Sequence, residues 1–382
     1  MKRIAVFIIL LFCFLNSRQA VAINEFKYLE NEVTGEFCRS LLNEFDFPGF
    51  PQNQTEPFKL MTELIVEDIS RVDGKNLEFD ALYTLWIYWK DPRVVQVLKK
   101  LDAYEDTDVP AWLCDYEADT VWGESRKLFD PVVEFYNRKS KPDFAQGRAD
   151  WIEIFNNGII QSRVRDTATF KSNFDFRKFP YDEQVFSFQI YPEFPANKMV
   201  FEAEPIMDEY KKNLFNAEGE DGLNIPEWKV TSVDYYVDEY TENEYDYQGF
   251  IVEITAERIS NYYIFKIILP ILLILTITWS VFWIYPSQIE AKVNITIVAL
   301  LALIAYNLIM DEEIPKLDYL TFMDAFIFLS YVFTGAATIL CVYSYYRYKK
   351  YRRTINLVDY YSKFVGPALY LIGIFVCAGI FL

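Results

Sequence analysis

"IEAKVNITIVALLALIAYNLIMDEEIPK", Ile289 to Lys316, decides how this chain is organised. Its apolar run has the length of a bilayer-spanning helix, about 20 residues. Yet a glutamate and a lysine stand at one end, and Asp311, Glu312 and Glu313 at the other. Counted along a helix, Glu290, Asn294, Val298, Leu301, Ala305, Leu308 and Glu312 recur at steps of four or three and share one stripe. A lone helix facing lipid gains nothing from a stripe framed by carboxylates, because ionisable groups at membrane depth point to a bundle interior or a water-filled path. Several copies around an axis would turn the stripe into stacked rings of carboxylate, amide, aliphatic and carboxylate. That is the wall of a cation pore with an apolar constriction. Taken alone, the segment reads equally well as a plain span with solvated acidic flanks.

Three more apolar segments, 262–284, 320–343 and 364–382, join 291–310 to give four spans in a membrane domain over 261–382. The connector 344–363 holds Arg347, Lys349, Lys350, Arg352, Arg353 and Lys363, so it belongs to the cytoplasm and "DEEIPKLD" lies outside. The chain opens with Lys2 and Arg3, an apolar run and a small-residue ending at Ala20 and Ala22, the pattern of a signal peptide over 1–22. An uncleaved anchor is the other reading, disfavoured by the shortness of the run. After a 23–56 extension with a helix around "GEFCRSLLNEF", residues 57–260 carry segments such as "EFDALYTLWIYW" and "QVFSFQIYP", in which apolar and polar residues alternate. They predict an extracytoplasmic antiparallel β-sandwich ahead of the four helices. The expected location is the cell (inner) membrane, multi-pass, with the N-terminal domain on the periplasmic or extracellular side.

The 37 Lys and Arg against 55 Asp and Glu, a net charge of −18, argue against nucleic acid and favour cations as partners. Histidine is absent, which excludes His-based catalytic triads and His-containing zinc sites. No nucleophile with a matched base is visible, so an enzyme is not expected, nor is a cofactor. Of five cysteines, Cys38 and Cys114 fall in the exported part, either as one disulfide or as two buried thiols.

"FRKFPYDEQVF", Phe176 to Phe186, resembles the signature loop of the pentameric ligand-gated ion channels, the Cys-loop receptor superfamily. Its F-P-x-D core is Phe179, Pro180, Tyr181 and Asp182. The bracketing cysteines would fall at Ser172 and Phe186, and their absence matches bacterial members. "WKDPR" at Trp89 to Arg93, "FDPVVEFYN" at Phe129 to Asn137, Arg258 before the first span, Pro270 within it, and Pro315 and Lys316 after the second span follow in the family's order. The resemblance covers roughly residues 57–382; residues 94–126 do not match cleanly.

It implies a homopentameric, ligand-gated channel. Anion-selecting relatives place Pro-Ala before the basic residue at the inner end of the pore helix; here Glu290 and Ala291 precede Lys292. A Glu290 ring implies monovalent cations as the permeant species, and Lys292 lies about 160° around the helix, facing the cytoplasm or a neighbour. Asp182 and Arg258 should meet where the two domains join, with Asp73 as a third member and Pro315 and Lys316 in the loop that is pushed. By the same resemblance the agonist site takes Tyr136, Tyr240, Tyr247 and either Glu193 or Phe194. Thr84, Trp86 and Tyr88, on one face of a strand, serve it across the subunit boundary. Tyrosines beside carboxylates suit a small amine, while Asp238, Glu239, Glu242 and Glu244 suit a divalent ion such as Ca2+ in a modulatory role. A solvated acidic hairpin is the plain alternative. A membrane-anchored sensor or binding protein with no conducting pore is the second class of function.

Overall fold

Alternation of apolar and polar residues sets the first two strands, β1 (Phe58–Asp73) and β2 (Glu78–Lys90), which pair antiparallel across a short turn. In this computed structural model the described residues are 32–51, 56–104, 112–117, 121, 127–139, 150–203, 223, 225–242, 244–351 and 357–382. The expected signal segment 1–22 lies outside them. Eight further strands follow: β3 (Trp112–Glu117), β4 (Val133–Phe135), β5 (Trp151–Phe155), β6 (Ile159–Lys171), β7 (Glu183–Pro192), β8 (Met199–Ala203), β9 (Trp228–Glu242) and β10 (Tyr245–Arg258). They form a six-stranded sheet in the order β3-β5-β6-β2-β1-β8 and a four-stranded sheet in the order β4-β7-β10-β9.

The sheets face each other through phenylalanines. Phe79 and Phe170 of the first meet Phe186 and Phe188 of the second at ring-centroid distances of 4.8–5.3 Å. One pair departs from the expected antiparallel sandwich: β8 runs parallel to β1. The chain reaches β8 by crossing from the other sheet after β7, not by a hairpin turn, so its direction is not reversed against β1.

Ahead of the sandwich, α1 (Glu32–Glu44) buries Leu41 beside Phe45, and Cys38 is disulfide-bonded to Cys114 on β3. "WKDPR" acquires a physical reading. Trp89 is buried, and Asp91 caps α2 (Pro92–Lys100) by accepting from the Arg93 N–H at 2.9 Å. Pro92 occupies the first turn, where its missing N–H is no loss.

Among the described residues four helices are long and apolar enough to cross a membrane: α3 (Asn261–Trp283), α4 (Ile289–Glu313), α5 (Phe322–Tyr351) and α6 (Leu357–Phe381). Within α3, residues Ile264–Ile268 form a π turn in which the Leu269 N–H reaches back to Ile264. Pro270 next in line cannot donate to Lys266, and the ladder widens by one residue to absorb it. The 344–363 connector is shorter than expected. Both α5 and α6 run into it, so only 352–356, outside the described residues, separate them. Tyr, Lys and Arg end an apolar window without ending a helix, because their stems pack while their heads reach water.

Lys292 on α4 is fully buried, its Nζ 3.3 Å from Asp359 on α6, whose other oxygen accepts from Ser344 of α5 at 2.7 Å. Three helices are thus tied at the cytoplasmic foot of α4. Removing one partner of a buried pair leaves the other charge uncompensated, whereas removing both can be neutral. Asp359→Ala should therefore destabilise the protein by roughly 3–5 kcal/mol, and Lys292→Met with Asp359→Leu should recover most of the loss. Thermal unfolding in detergent checks both; an Asp359→Ala protein melting with the wild type would remove the tie.

Candidate functional site: the domain junction, the α4 stripe and the tyrosine cage

The loop 172–186 closes without cysteines. Ser172 Oγ donates to the Val185 carbonyl, and Phe186 packs fully buried against Phe79, Phe174 and Trp228. Its Asp182 meets Arg258 at the end of β10 through two bonds, Nε–Oδ1 at 2.7 Å and Nη2–Oδ2 at 3.0 Å. The guanidinium is walled by Trp228, Phe179 and Tyr263, with ring centres at 4.1, 4.9 and 5.6 Å, and Gln184 Nε2 also donates to Asp182 at 2.6 Å.

Asp73 is not a third member. Its carboxylate stays in the β1–β2 turn, held by Asn76 at 2.9–3.0 Å and 3.9 Å from Arg71. Pro315 and Lys316 sit in the connector between α4 and α5, and two other residues of that region grip the loop. Tyr319 OH accepts from Phe176 N–H at 3.1 Å, and Phe322 N–H donates to the Arg177 carbonyl at 2.9 Å.

On α4, Glu290, Asn294, Val298, Leu301, Ala305 and Leu308 are all exposed; the side chain of Glu312 lies outside the described residues. The opposite face, Lys292, Thr296, Ala299, Leu303 and Met310, is buried against the other helices. Leu301, 60% exposed, and Leu308, 61% exposed, therefore point out of the bundle in register with Glu290.

On the four-stranded sheet, Tyr136, Tyr240 and Tyr247 come together through a residue absent from the sequence expectations. Tyr191 stands between them, 5.7 Å from Tyr136 and 4.8 Å from Tyr240, which stacks on Tyr247 at 5.3 Å. Gly249 makes room for it: a Cβ there would lie 2.2 Å from the Tyr191 ring. The signal was a glycine inside a strand. Tyr136 is 75% exposed, so the cage is open on one side. Of the two alternatives for the third loop, Phe194 packs against Phe50 and Phe129, and Glu193 is exposed, its N–H bonded to the Val132 carbonyl.

Thr84, Trp86 and Tyr88 share a face of the six-stranded sheet, a different sheet from the cage, so one chain does not bring the two sets together. Thr84 donates to Glu67 at 2.6 Å, Glu67 forms a bidentate pair with Arg165, and Arg163 lies 5.5 Å over Trp86. Asp238, Glu239 and Glu244 are exposed, Glu239 accepts from Gln248, and the Glu242 side chain lies outside the described residues. Among the described residues no three acids gather at metal-binding spacing, since strand alternation sends neighbours to opposite faces.

On the same face as Trp86, Asp115 and Glu153 oppose each other across β3 and β5. Burial raises both carboxyls above their ordinary range, and the Asp115 charge raises Glu153 further, while Arg163 opposes both shifts.

An aromatic cage on an outer sandwich, a charged junction and an exposed helical stripe through the membrane define a ligand-gated channel subunit. The family profile described as "Neurotransmitter-gated ion-channel ligand binding domain" matches residues 34–258, and that described as "Neurotransmitter-gated ion-channel transmembrane region" matches 267–363. The chain belongs to this family of ligand-gated channels, which are not enzymes, and is a multi-pass membrane protein with its N-terminal domain on the outer side. A proton-gated ion channel of Gloeobacter violaceus is 25% identical over 342 residues, 87% of this chain and 85% of that one. A gamma-aminobutyric acid receptor subunit beta of Lymnaea stagnalis is 20% identical over 304 residues, 78% of this chain and 58% of its own length. A subunit pi of that receptor from Mus musculus is 20% identical over 331 residues, covering 83% and 70%.

The raised carboxyls have a signed consequence. The folded state holds their protons more tightly than the unfolded chain, so the penalty of their ionisation is present above the raised folded values and relieved as pH falls through them. As pH falls from neutral toward the ordinary carboxylate range, the outer domain of the wild type should gain stability relative to Glu153→Gln. Thermal unfolding of the two proteins across that range checks the sign; parallel curves would show the pair to be uncoupled from folding.

Proposed function

We propose that the chain assembles as a homopentamer into a cation-selective channel of the cell membrane, opened by a small extracytoplasmic agonist. The observation that carries this reading is the α4 stripe. A membrane helix that turns its lysine inward while leaving Glu290, Asn294 and a row of aliphatic side chains outward needs copies of itself as neighbours. Around a five-fold axis the outward row becomes the pore lining, with Glu290 at the inner mouth, an aliphatic band of Val298, Leu301, Ala305 and Leu308 above it, and Glu312 at the outer mouth. Acidic rings attract cations, and an apolar ring closes by dewetting. A non-conducting anchor would leave that row without a purpose.

For the agonist, the four-tyrosine cage with Asp238 nearby supports a small amine, held through ring faces and charge. Protons are the second reading, supported by the Asp115 and Glu153 pair and by the relative named as proton-gated. Purified protein in planar bilayers, screened against small amines and against pH, separates the two. Tyr240→Ala abolishes an amine response and spares a proton response, whereas Glu153→Gln displaces the pH at half-activation and spares an amine response. Native mass spectrometry in mild detergent checks the assembly; monomers and dimers alone would count against a pore.

Glu290→Gln removes a ring of charge at a mouth where screening is weak. Under a salt gradient its reversal potential should move toward zero and its conductance fall; unchanged values would take Glu290 out of the permeation path. Leu301→Ser puts hydroxyls into the apolar ring, which without them excludes hydrated ions because no polar atom replaces the lost water. The mutant should leak without agonist or open at lower agonist concentration. A well-expressed Leu301→Ser channel with wild-type spontaneous current would place the gate elsewhere.

A further inference from the structure

The foot of α4 carries charges of both signs. Glu290 is exposed on the stripe, and Lys292, separated from it by Ala291 alone, is fully buried. Along the helix axis the two are only about 3 Å apart, though about 160° apart around it. In a ring of copies both rows would sit at nearly the same depth, and a lysine that reached the lumen would offset the glutamate beside it. The sign that the inner mouth presents therefore depends on where the lysine is kept.

Two observations say what keeps it. The Lys292 Nζ lies 3.3 Å from Asp359 Oδ1 on α6, and Asp359 Oδ2 accepts from Ser344 of α5 at 2.7 Å, so the acceptor is itself held in place. Along α3, α5 and α6 the sequence has two acids, Asp359 and Asp324, and Asp324 is bonded to Thr321 at the opposite end of α5. No second acid on these helices can stand in. Without the Asp359 charge the buried ammonium is left uncompensated. A lysine stem is long enough to carry its head to water, and in the proposed ring that water fills the mouth lined by Glu290.

We infer that Asp359, on a helix that lines no pore, is a positioning residue for charge selectivity: it holds the Lys292 charge out of the ion path and so leaves the inner mouth to Glu290. The inference rests on the pore lining proposed above.

Planar-bilayer recordings under a salt gradient, with the wild type alongside, test it. Asp359→Asn keeps the side-chain volume and an acceptor for Ser344. It should lower the cation-to-anion permeability ratio by on the order of tenfold, the effect of a unit charge brought close to the path. Lys292→Gln with Asp359→Asn leaves no charge to bury and should restore the wild-type ratio, whereas a purely structural role for the pair predicts no change of ratio in either variant. Sulfosuccinimidyl acetate, a charged amine reagent, gives a readout that needs no current. Peptide mass spectrometry should find Lys292 unmodified in the wild type and acetylated in Asp359→Asn. A wild type that passes no cations would fail the pore reading, yet equal acetylation of the two proteins would still overturn the masking of Lys292. A wild-type ratio in Asp359→Asn would overturn the inference directly. If that variant does not fold, a double variant more cation-selective than the wild type would do so, because the ions would then have felt Lys292 all along.

Discussion

The buried pair of Arg258 and Asp182 is the interaction on which the two-domain arrangement depends. Their side chains are 8% and 1% exposed, so neither charge has water to fall back on, and each needs the other. Arg258 ends β10, three residues before α3 begins at Asn261; Asp182 belongs to the loop that touches Tyr319 and the backbone of Phe322. One bidentate contact therefore fixes the last strand of the outer domain to the loop that rests on the connector after α4. The three aromatic rings around the guanidinium restrict it to one orientation, so a displacement of β10 moves the loop instead of being absorbed by a swinging side chain.

The same logic of paired and unpaired charge sorts the two faces of α4. Lys292 and Glu290 are two residues apart, yet one is buried with a carboxylate and the other is exposed at the helix foot. Two helical steps turn about 200°, which leaves one charge toward α6 and the other on the stripe. Had Lys292 lacked Asp359, burying it would have cost several kcal/mol and pushed the helix to rotate. The tie to α6 thus sets which row of α4 points outward. The outer helix, though remote from the stripe, helps determine its orientation.

Much of this was legible in the sequence, for identifiable reasons. Four spans and the long strands of the hydrophobic core follow from apolar length and alternation, and the stripe follows from helical periodicity alone. β6 escaped notice because Arg163 and Arg165 occupy its outer face and Asp166 interrupts the inner one, diluting the apolar signal, although Phe170 and Ile160 on that inner face are fully buried. Tyr191 was hidden because the cage is assembled from separate strands and depends on a missing side chain at Gly249, a relation that exists only across the sheet. Asp359 was hidden because 67 positions separate it from Lys292, in a stretch whose charges read as cytoplasmic loop. Asp73 misled for the opposite reason: its own turn satisfies it before any distant arginine can.

The cysteines show how such a chain distributes covalent and packing restraints. Where related sequences bracket the junction loop with cysteines, this one has Ser172, bonded to a backbone carbonyl, and Phe186, buried among rings on both sheets. A loop anchored by buried phenylalanines, a hydroxyl and the Arg258 pair has enough packing to stay closed. The disulfide of Cys38 and Cys114 lies instead between α1 and β3, an edge strand of the six-stranded sheet, across a separation of 76 residues. There the restraint has most to do, because a short helix is marginal on its own and a cross-link over a long loop removes much of the unfolded chain's freedom. The bond ties a peripheral helix to an edge strand, and aromatic packing closes the junction loop.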